Sequence, residues 1–194
     1  MLNIKLMDKS ILELLKKAGE FSEKDSLLLT KELQFKNLKK GEILLEKGNV
    51  CSSLCFVVSG SFYQYGIDSE FNKNIIDLNI ANDWVINHKS FTSRKPSEYF
   101  IQVYEDTSFY EISIDSIHKL IAQSQSFLQM GKILEESTSR IDFFDKSFTP
   151  DEKYHYIITN KPNLLQKFPQ TIIASYLKMT PETLSRVRKR LSKK

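Results

Sequence analysis

The stretch IIASYLKMTPETLSRVRKRL, residues 172–191, decides how the C-terminal part of this 194-residue chain folds. Two short apolar patterns flank a turn, and basic residues follow the second pattern. A small side chain in the first helix lets a second helix approach closely, and apolar side chains fill the angle between the two. The chain has suitable residues at Ile173, Ala174, Leu177, Met179, Leu184 and Val187. The spacing therefore predicts a helix–turn–helix.

The second helix has a clear start signal. Thr180 is a favourable N-cap, and Pro181 is favourable at the first helical position. A residue before proline prefers the extended backbone that an N-cap adopts. The turn has Lys178 where glycine is usual. A left-handed lysine costs roughly 1 kcal/mol more than glycine, so we expect a strained turn or a different turn shape.

The second helix has one apolar face and one polar face. Leu184, Val187 and Leu191 share the apolar face. On the polar face, Glu182 suits the amino group of cytosine and Arg186 suits the guanine edge. Lys189, Arg190 and Lys193 suit phosphates, which carry no sequence information. A solvated basic helix end is the alternative interpretation, but the core pattern and the caps favour binding of double-stranded DNA.

The charge distribution agrees with a polyanion partner at this end. The chain has a net charge of +4, but residues 178–194 hold seven basic side chains and one acidic side chain. The tail is therefore +6 and the remainder is −2. Such an asymmetry favours binding of a nucleic acid at the tail.

Residues 33–114 read as short strands. Runs such as SLCFVVSG, SFYQYGI, NIIDLNI and YFIQVYE alternate with turn signals, which is typical of an antiparallel sandwich or barrel. We place turns at Gly41, Gly48, Gly60 and Gly66. Two short helices precede the strands, at 8–18 and 22–32, and Asp115 is the expected cap of a helix that follows them.

A heptad pattern follows the strands. Spacings of three and four residues join Phe127, Met130, Leu134, Ser137, Ile141, Phe144 and Phe148. This pattern predicts a helix that pairs with its copy in a homodimer, although packing on the chain's own barrel is the alternative. A capping box at Thr149 and Glu152 then predicts a new helix and a joint at 146–150.

These segments together resemble a regulator of the Crp-Fnr type, of the compact branch common in Bacteroidetes. The resemblance covers nearly the whole chain and is carried by KKGEILLEKGN (39–49), SLCFVVSGSF (53–62), the 127–148 pattern and TPETLSRVRKRL (180–191). It implies an α+β fold with an antiparallel, jelly-roll-like β-roll. The implied domains are a cyclic-nucleotide-binding-like sensor at 1–125, a dimerisation helix at 126–148 and a helix–turn–helix at 149–194.

The resemblance also implies functional residues and partners. The family motif E-T-x-S-R carries over onto Glu182, Thr183, Ser185 and Arg186, and Thr180 precedes it. The position matched by Pro181 often contacts DNA, which proline cannot do through a side-chain hydrogen bond. A β-hairpin wing usually follows, whereas this sequence has only SKK after Leu191, so we expect fewer phosphate contacts. RNA polymerase is a further implied partner.

The expected ligand pocket departs from the nucleotide-binding pattern. Clamping a cyclic phosphate and ribose requires a tight glycine turn, a fixed arginine and a carboxylate. Residues 81–103 contain no glycine, and Ser97 followed by Glu98 stands where the arginine is expected. Arg94 lies on another part of the loop. We expect no cyclic AMP, and an unknown effector or none. Trp84 and Tyr99 could line an apolar site or belong to the core.

Other classes of protein fit poorly. His88, His118 and His155 are scattered, which argues against a metal-dependent enzyme, and the spacing of Cys51 and Cys55 is a poor zinc signal. The sequence has neither a run of ~20 apolar residues nor a signal peptide, so we expect a cytoplasmic protein. The remaining alternative is a ligand-sensing β-roll that acts through protein contacts without specific DNA binding.

Overall fold

An antiparallel sheet forms the body of the protein in the computed structural model, which describes residues 9–135 and 148–191. Its strands are β1 (Gln34–Leu38), β2 (Ile43–Leu45), β3 (Ser53–Ile67), β4 (Lys73–Ile80), β5 (Trp84–Val85) and β6 (Phe100–Ser113). The strand order is β1-β6-β3-β4, with β2 paired to β6 and β5 paired to β3. The sheet and its flanking helices confirm the predicted α+β class.

Strand β3 is longer than the sequence suggested. SLCFVVSG and SFYQYGI belong to one strand, β3, which pairs with β6 through several shifts of register between Val57 and Phe62. Gly60 lies at these irregularities with φ +90°, and Gly66 lies near the end of the same strand. The prediction of turns at these two glycines was therefore wrong, because a β-bulge bends a strand without ending it.

The helices before and after the strands lie close to their predicted positions. They are α1 (Lys9–Ala18) and α2 (Glu23–Glu32) before the strands and α4 (Ile114–Gln123) after them, whereas α3 (His88–Ser93), between β5 and β6, was not predicted. The Ser113 hydroxyl caps α4 by accepting a hydrogen bond from Ser116 N at 3.0 Å. Ser113 therefore takes the role predicted for Asp115, which lies one residue inside the helix.

The start of the predicted dimerisation helix packs inside one chain. Residues Gln125–Met130 form a 3₁₀ helix, in which side chains three apart project in the same direction. Phe127 and Met130 are consequently both buried in the core of the roll, and the Phe127 ring lies 5.3 Å from that of Phe21. This corrects their prediction as partner contacts. Leu134 is partly buried against the same core, and Ser137, Ile141 and Phe144 lie outside the described residues.

The C-terminal segment is helical. Its helices are α5 (Pro150–Asn160), α6 (Leu164–Lys167), α7 (Gln170–Tyr176) and α8 (Pro181–Leu191). The predicted capping box is confirmed, because Thr149 N donates to the Glu152 carboxylate at 2.8 Å and Glu152 N donates to the Thr149 hydroxyl at 3.3 Å. Among the described helices, none is long and apolar enough to cross a membrane.

The C-terminal helices cover the outer face of the sheet. Along β3, Phe62 and Gln64 face the interior of the roll, whereas Tyr63 and Tyr65 face outward and are also buried. The outward side chains form a second apolar cluster with helices α5 to α8. The ring centroids of Tyr104, on β6, and Phe168, directly after α6, lie 4.8 Å apart where the sheet meets the C-terminal helices. Both faces of this part of β3 are therefore inside the protein.

We predict that Gly60→Ala destabilises the protein far more than Gly48→Ala. Both glycines have positive φ angles, +90° and +95°, so each alanine costs about 1–2 kcal/mol of backbone strain. At Gly60 a Cβ would also lie 2.5 Å from the Asp106 carbonyl oxygen, whereas at Gly48 it meets nothing within 4 Å. Overpacking at Gly60 adds about 1–3 kcal/mol. Urea unfolding of the two variants checks this, and equal losses would contradict it.

Candidate nucleic-acid interface and ligand pocket

Helices α7 and α8 pack around a tight turn. Ile173, Ala174 and Leu177 from the first half are buried, as are Leu184 and Val187 from the second. The turn is closed by backbone hydrogen bonds from Lys178 N to Ser175 O and from Met179 N to Ala174 O, both at 3.0 Å. The buried positions and the turn therefore lie where the sequence spacing predicts them.

The start of α8 is capped as predicted. The Thr180 hydroxyl accepts a hydrogen bond from Thr183 N at 3.2 Å. Lys178 has φ +55°, which is the left-handed conformation that its place in the turn predicts. Thr180 therefore has a structural role in the helix start, and Thr183 is half-buried beside it.

The side of α8 opposite its buried residues is open to solvent. We call this side the reading face, and define it by the exposed residues Glu182, Ser185, Arg186 and Lys189. Arg190 is also exposed, but its guanidinium pairs with the Asp151 carboxylate of α5. Lys193 lies outside the described residues. The structure therefore presents one acid and two bases together near the beginning and middle of the helix.

Glu182 is held in its ionised form. Hydrogen bonds from its own backbone N–H and from the Thr180 hydroxyl, together with the nearby Arg186 charge, lower the pKa of the Glu182 carboxyl. An ionised carboxylate only accepts hydrogen bonds. At neutral pH Glu182 therefore suits a donor such as the exocyclic amino group of cytosine.

A shallow pocket of about 270 Å³ lies beside α3. Of the residues predicted for a ligand site, it brings together Ser97, Glu98 and Tyr99. Trp84 lies elsewhere, in the core, with its ring 5.2 Å from that of Phe56. The Arg94 guanidinium donates to the Cys51 carbonyl oxygen at 3.0 Å. The structure thus corrects the grouping of Trp84 and Arg94 with the other three.

A buried hydrogen-bond network reaches this pocket through Asn87 and Ser97, which line it. The Ser97 hydroxyl accepts from Asn87 Nδ2 at 3.0 Å and from Tyr99 N at 3.1 Å, and donates to Tyr99 O at 2.7 Å. Asn87 Nδ2 also donates to Gln64 Oε1 at 2.9 Å. Gln64, Asn87 and Ser97 are each at most 3% exposed. Sequence reasoning missed Asn87 and Gln64, although Gln64 stands out as an amide at an inward-facing strand position.

The fold matches a known family over this part of the chain. Residues 35–124 match the model of the cyclic nucleotide-binding domain family. Residues 35–124 are therefore similar to a cyclic nucleotide-binding domain, and nearly all of the antiparallel sheet described above lies within this matched segment. A search of curated proteins finds no match.

Several solved structures share the fold over most of the chain. FixK2 from Bradyrhizobium japonicum has a TM-score of 0.70 and 16% identity, and the match covers 83% of this chain and 85% of FixK2. A CooA mutant from Carboxydothermus hydrogenoformans has a TM-score of 0.61 and 22% identity, with coverage of 97% and 86%. The c-di-GMP-responsive global regulator CLP from Xanthomonas campestris has a TM-score of 0.58 and 14% identity, with coverage of 88% and 92%.

The rim of the pocket in the matched segment carries an ion pair. Lys89 Nζ lies 2.7 Å from the Glu98 carboxylate, and both side chains are largely exposed. The hydrogen bond and charge of Lys89 lower the pKa of Glu98. Glu98 follows Ser97, which stands at the position expected for the arginine, and its carboxylate already has a charged partner in Lys89.

The two cysteines of the matched segment are buried free thiols. Burial raises the pKa of both Cys51 and Cys55, so both thiols are protonated at neutral pH. This agrees with their prediction as ordinary buried side chains. Within residues 9–135 and 148–191, no three His, Cys, Asp or Glu residues cluster as a metal site would require.

We predict that Ser97→Ala lowers the free energy of unfolding by about 1–3 kcal/mol, because Asn87 Nδ2 and Tyr99 N each lose a buried partner. Ser93→Ala is the matched control. The Ser93 hydroxyl bonds to the Lys89 carbonyl oxygen at 2.6 Å on the exposed surface of α3, so its loss should change stability by less than about 0.5 kcal/mol. Chemical denaturation measures both, and a neutral Ser97→Ala would show that the network contributes nothing.

Proposed function

We propose that this chain is a sequence-specific transcriptional regulator of the Crp/Fnr type, which binds a pseudo-palindromic operator as a homodimer. The reading face carries the proposal, because Glu182, Ser185, Arg186 and Lys189 are exposed together above a buried helix–turn–helix core. The structural neighbours add support. They are regulators of the Crp/Fnr type, and the name of CLP links it to virulence gene expression.

The residues of α8 divide into two roles. Glu182 and Arg186 lie near the N-terminal end, which enters the major groove in this motif, and contact base edges. Thr183 and Ser185 are in reach of either bases or sugar–phosphate groups. Lys189 contacts phosphates. Arg190 joins it, because an exposed ion pair such as Arg190–Asp151 is worth less than about 1 kcal/mol and a phosphate can replace the carboxylate. Lys193, outside the described residues, is a further basic side chain for phosphates in this proposal.

The homodimer supplies the symmetry of the operator. Two copies of α8 would enter successive major grooves about one helical turn apart. We propose that the partner contact lies in the segment 126–148, where Leu134, Ser137, Ile141 and Phe144 carry it. Phe127 and Met130 take no part, since both are buried within their own chain. In this proposal RNA polymerase is a further partner of the bound dimer.

Cyclic nucleotides are not needed for DNA binding in this proposal. The Gln64–Asn87–Ser97 network supports it, because the polar groups at the pocket already bond to each other. A ligand entering there would have to replace satisfied buried hydrogen bonds, which gains little free energy. The neighbour CLP is named for its response to c-di-GMP, and any such response by this chain would require different contacts.

We predict that cyclic AMP and cyclic GMP leave the thermal unfolding midpoint unchanged. A ligand at one hundred times its Kd would stabilise the folded state by about 2.7 kcal/mol, which is easily detected by differential scanning fluorimetry. Operator affinity should also be the same with and without either nucleotide. An upward shift of the midpoint at millimolar nucleotide would contradict the effector-independent part of the proposal.

The proposed function is tested by selection from a random DNA duplex pool. The full chain is purified without added ligand and incubated with the pool at near-physiological salt, because non-specific binding dominates at low salt. Enrichment of a two-fold-symmetric site is the expected result. A pool that stays random through successive rounds would refute sequence-specific binding and favour action through protein contacts.

We predict that Arg186→Ala weakens binding to the selected site by about 1–3 kcal/mol and relaxes the preference at one base position. Arg188→Ala is the matched control, since it removes the same charge from an exposed position of α8 that is not on the reading face. It should leave the base preference intact. Fluorescence anisotropy with single-base variants of the site compares the two, and identical profiles would remove Arg186 from base recognition.

A further inference from the structure

The helix–turn–helix closes the open edge of the sheet. β4 is the last strand in the sheet order and pairs with β3 alone among the described strands. An edge strand leaves backbone N–H and C=O groups without a neighbouring strand. At Ile75 both groups are taken by the helix–turn–helix, because Ile75 N donates to the Ser175 hydroxyl at 3.0 Å and Ile75 O accepts from Lys178 Nζ at 3.0 Å.

Lys178 has a side-chain role that glycine could not fill. Its backbone is left-handed, at φ +55°, where glycine would be less strained. Besides Ile75 O, its ammonium group donates to Asn74 Oδ1 at 3.2 Å. The departure from glycine in the turn therefore coincides with a bond to another domain. A charged donor on a carbonyl oxygen is among the stronger protein hydrogen bonds.

The two contacts hold the chain immediately before the reading helix. Ser175 lies in the last turn of α7, and Lys178 lies two residues before the Thr180 cap of α8. Beneath them, Ile75 and Leu78 of β4 pack in one apolar cluster with Ile173 and Leu177. The reading face itself remains exposed. The hydrogen bonds of Ser175 and Lys178 to β4 consequently restrain the orientation of α8 without covering the residues that would meet DNA.

Other polar contacts join the same two parts of the chain. Lys161 Nζ lies 3.0 Å from the Asp83 carboxylate, with both side chains mostly buried. Lys167 lies 2.5 Å from the Glu105 carboxylate. Lys161 directly follows α5 and Lys167 is the last residue of α6, so both lysines precede α7 and the turn after it. The Ser175 and Lys178 contacts are the ones attached directly to the helix–turn–helix.

We propose that Lys178, together with Ser175, is a positioning residue for DNA recognition, which fixes α8 against the edge of the sheet. The inference rests on the proposed function. Two copies of α8 must reach successive grooves at a fixed spacing. A helix–turn–helix that is already oriented loses less conformational freedom when it binds DNA. The hydrogen bonds to β4 therefore raise the affinity for the operator.

Two simpler roles for Lys178 give different results. If Lys178 only shapes the turn, replacement by glycine relieves strain and leaves DNA binding intact. If Lys178 instead contacts a DNA phosphate, its loss lowers the number of ions released on binding. The salt slope, which is the slope of log affinity against log salt concentration, then falls in magnitude by about 1. A positioning role weakens binding with no change of slope, because the lost contact is within the protein.

The experiment compares Lys178→Gly with Ser175→Ala in the full chain. Hydrogen exchange of the Ile75 amide is followed by NMR, and affinity for the selected operator is measured at several salt concentrations. We expect faster exchange at Ile75 and roughly tenfold weaker operator binding in both variants, the size of effect given by one hydrogen bond to a charged group. The salt slope should equal that of the wild type.

Phe71→Gly is the matched control. Phe71 also has a left-handed backbone, at φ +62°, and is 88% exposed on the β3–β4 hairpin. Glycine there relieves the same kind of backbone strain without changing the hydrogen bonds to Ile75. The exchange rate of the Ile75 amide and the operator affinity should therefore both remain at wild-type values. Thermal unfolding of all three variants confirms that they are folded.

Three results would overturn the inference. They are unchanged Ile75 exchange in both variants, unchanged operator affinity despite faster exchange, and a fall in affinity accompanied by a smaller salt slope. Failure of the proposed function appears elsewhere, in the wild type. A wild-type protein that selects no site would refute DNA recognition, and with it the role of Lys178 in that recognition. This would hold even if the exchange data verify the hydrogen bonds to Ile75.

Discussion

The burial of β3 on both of its faces is the constraint on which the rest of the structure depends. Phe62 and Gln64 fill the roll, and Tyr63 and Tyr65 fill the contact with the C-terminal helices. A strand that is buried on one side only can leave its other side polar. Here each side has its own apolar cluster, so the two parts of the chain share a strand and cannot be treated as independent units joined by a tether.

Local signals were enough to predict the helix starts and the buried positions of the C-terminal helices. The Thr180 and Thr149 caps, the small Ala174 and the period of Leu184 and Val187 all act within a few residues of each other, and the structure has each where expected. The antiparallel strands followed from the alternation of short apolar runs with turn signals, and the α+β class was implied by the family resemblance. In both cases the decisive interactions lie close together in the sequence, where their spacing can be measured directly.

Predictions failed where one pattern fits two structures. A glycine between two apolar runs indicates a turn, but it also suits a bulge, and Gly60 is at a bulge. A heptad spacing does not say which surface the side chains meet, and Phe127 and Met130 meet their own roll. The Gln64–Asn87–Ser97 network joins residues up to 33 positions apart. No single segment carries a signal for such a network, because each amide or hydroxyl alone resembles any surface polar residue.

A family fold does not determine what its pocket holds. In the segment that matches the cyclic nucleotide-binding domain, uncharged side chains at the pocket bond to each other, and Glu98 at its edge pairs with Lys89. The fold can be retained while its ligand chemistry changes, since the roll is stabilised by its apolar core and not by the loop. Function therefore has to be argued from the site and not from the fold.

The bond from Ile75 N to the Ser175 hydroxyl spans 100 residues of sequence, and this has a consequence for synthesis of the protein. The outward side chains of β3 and β4 are made well before helices α5 to α8, which cover them. Contacts between distant residues form slowly, and exposed apolar strands in a nascent chain favour aggregation. Helices α5 to α8 thus close the outer face of the sheet after its strands have been made, and a chain truncated before them would leave the ribosome with an uncovered aromatic surface.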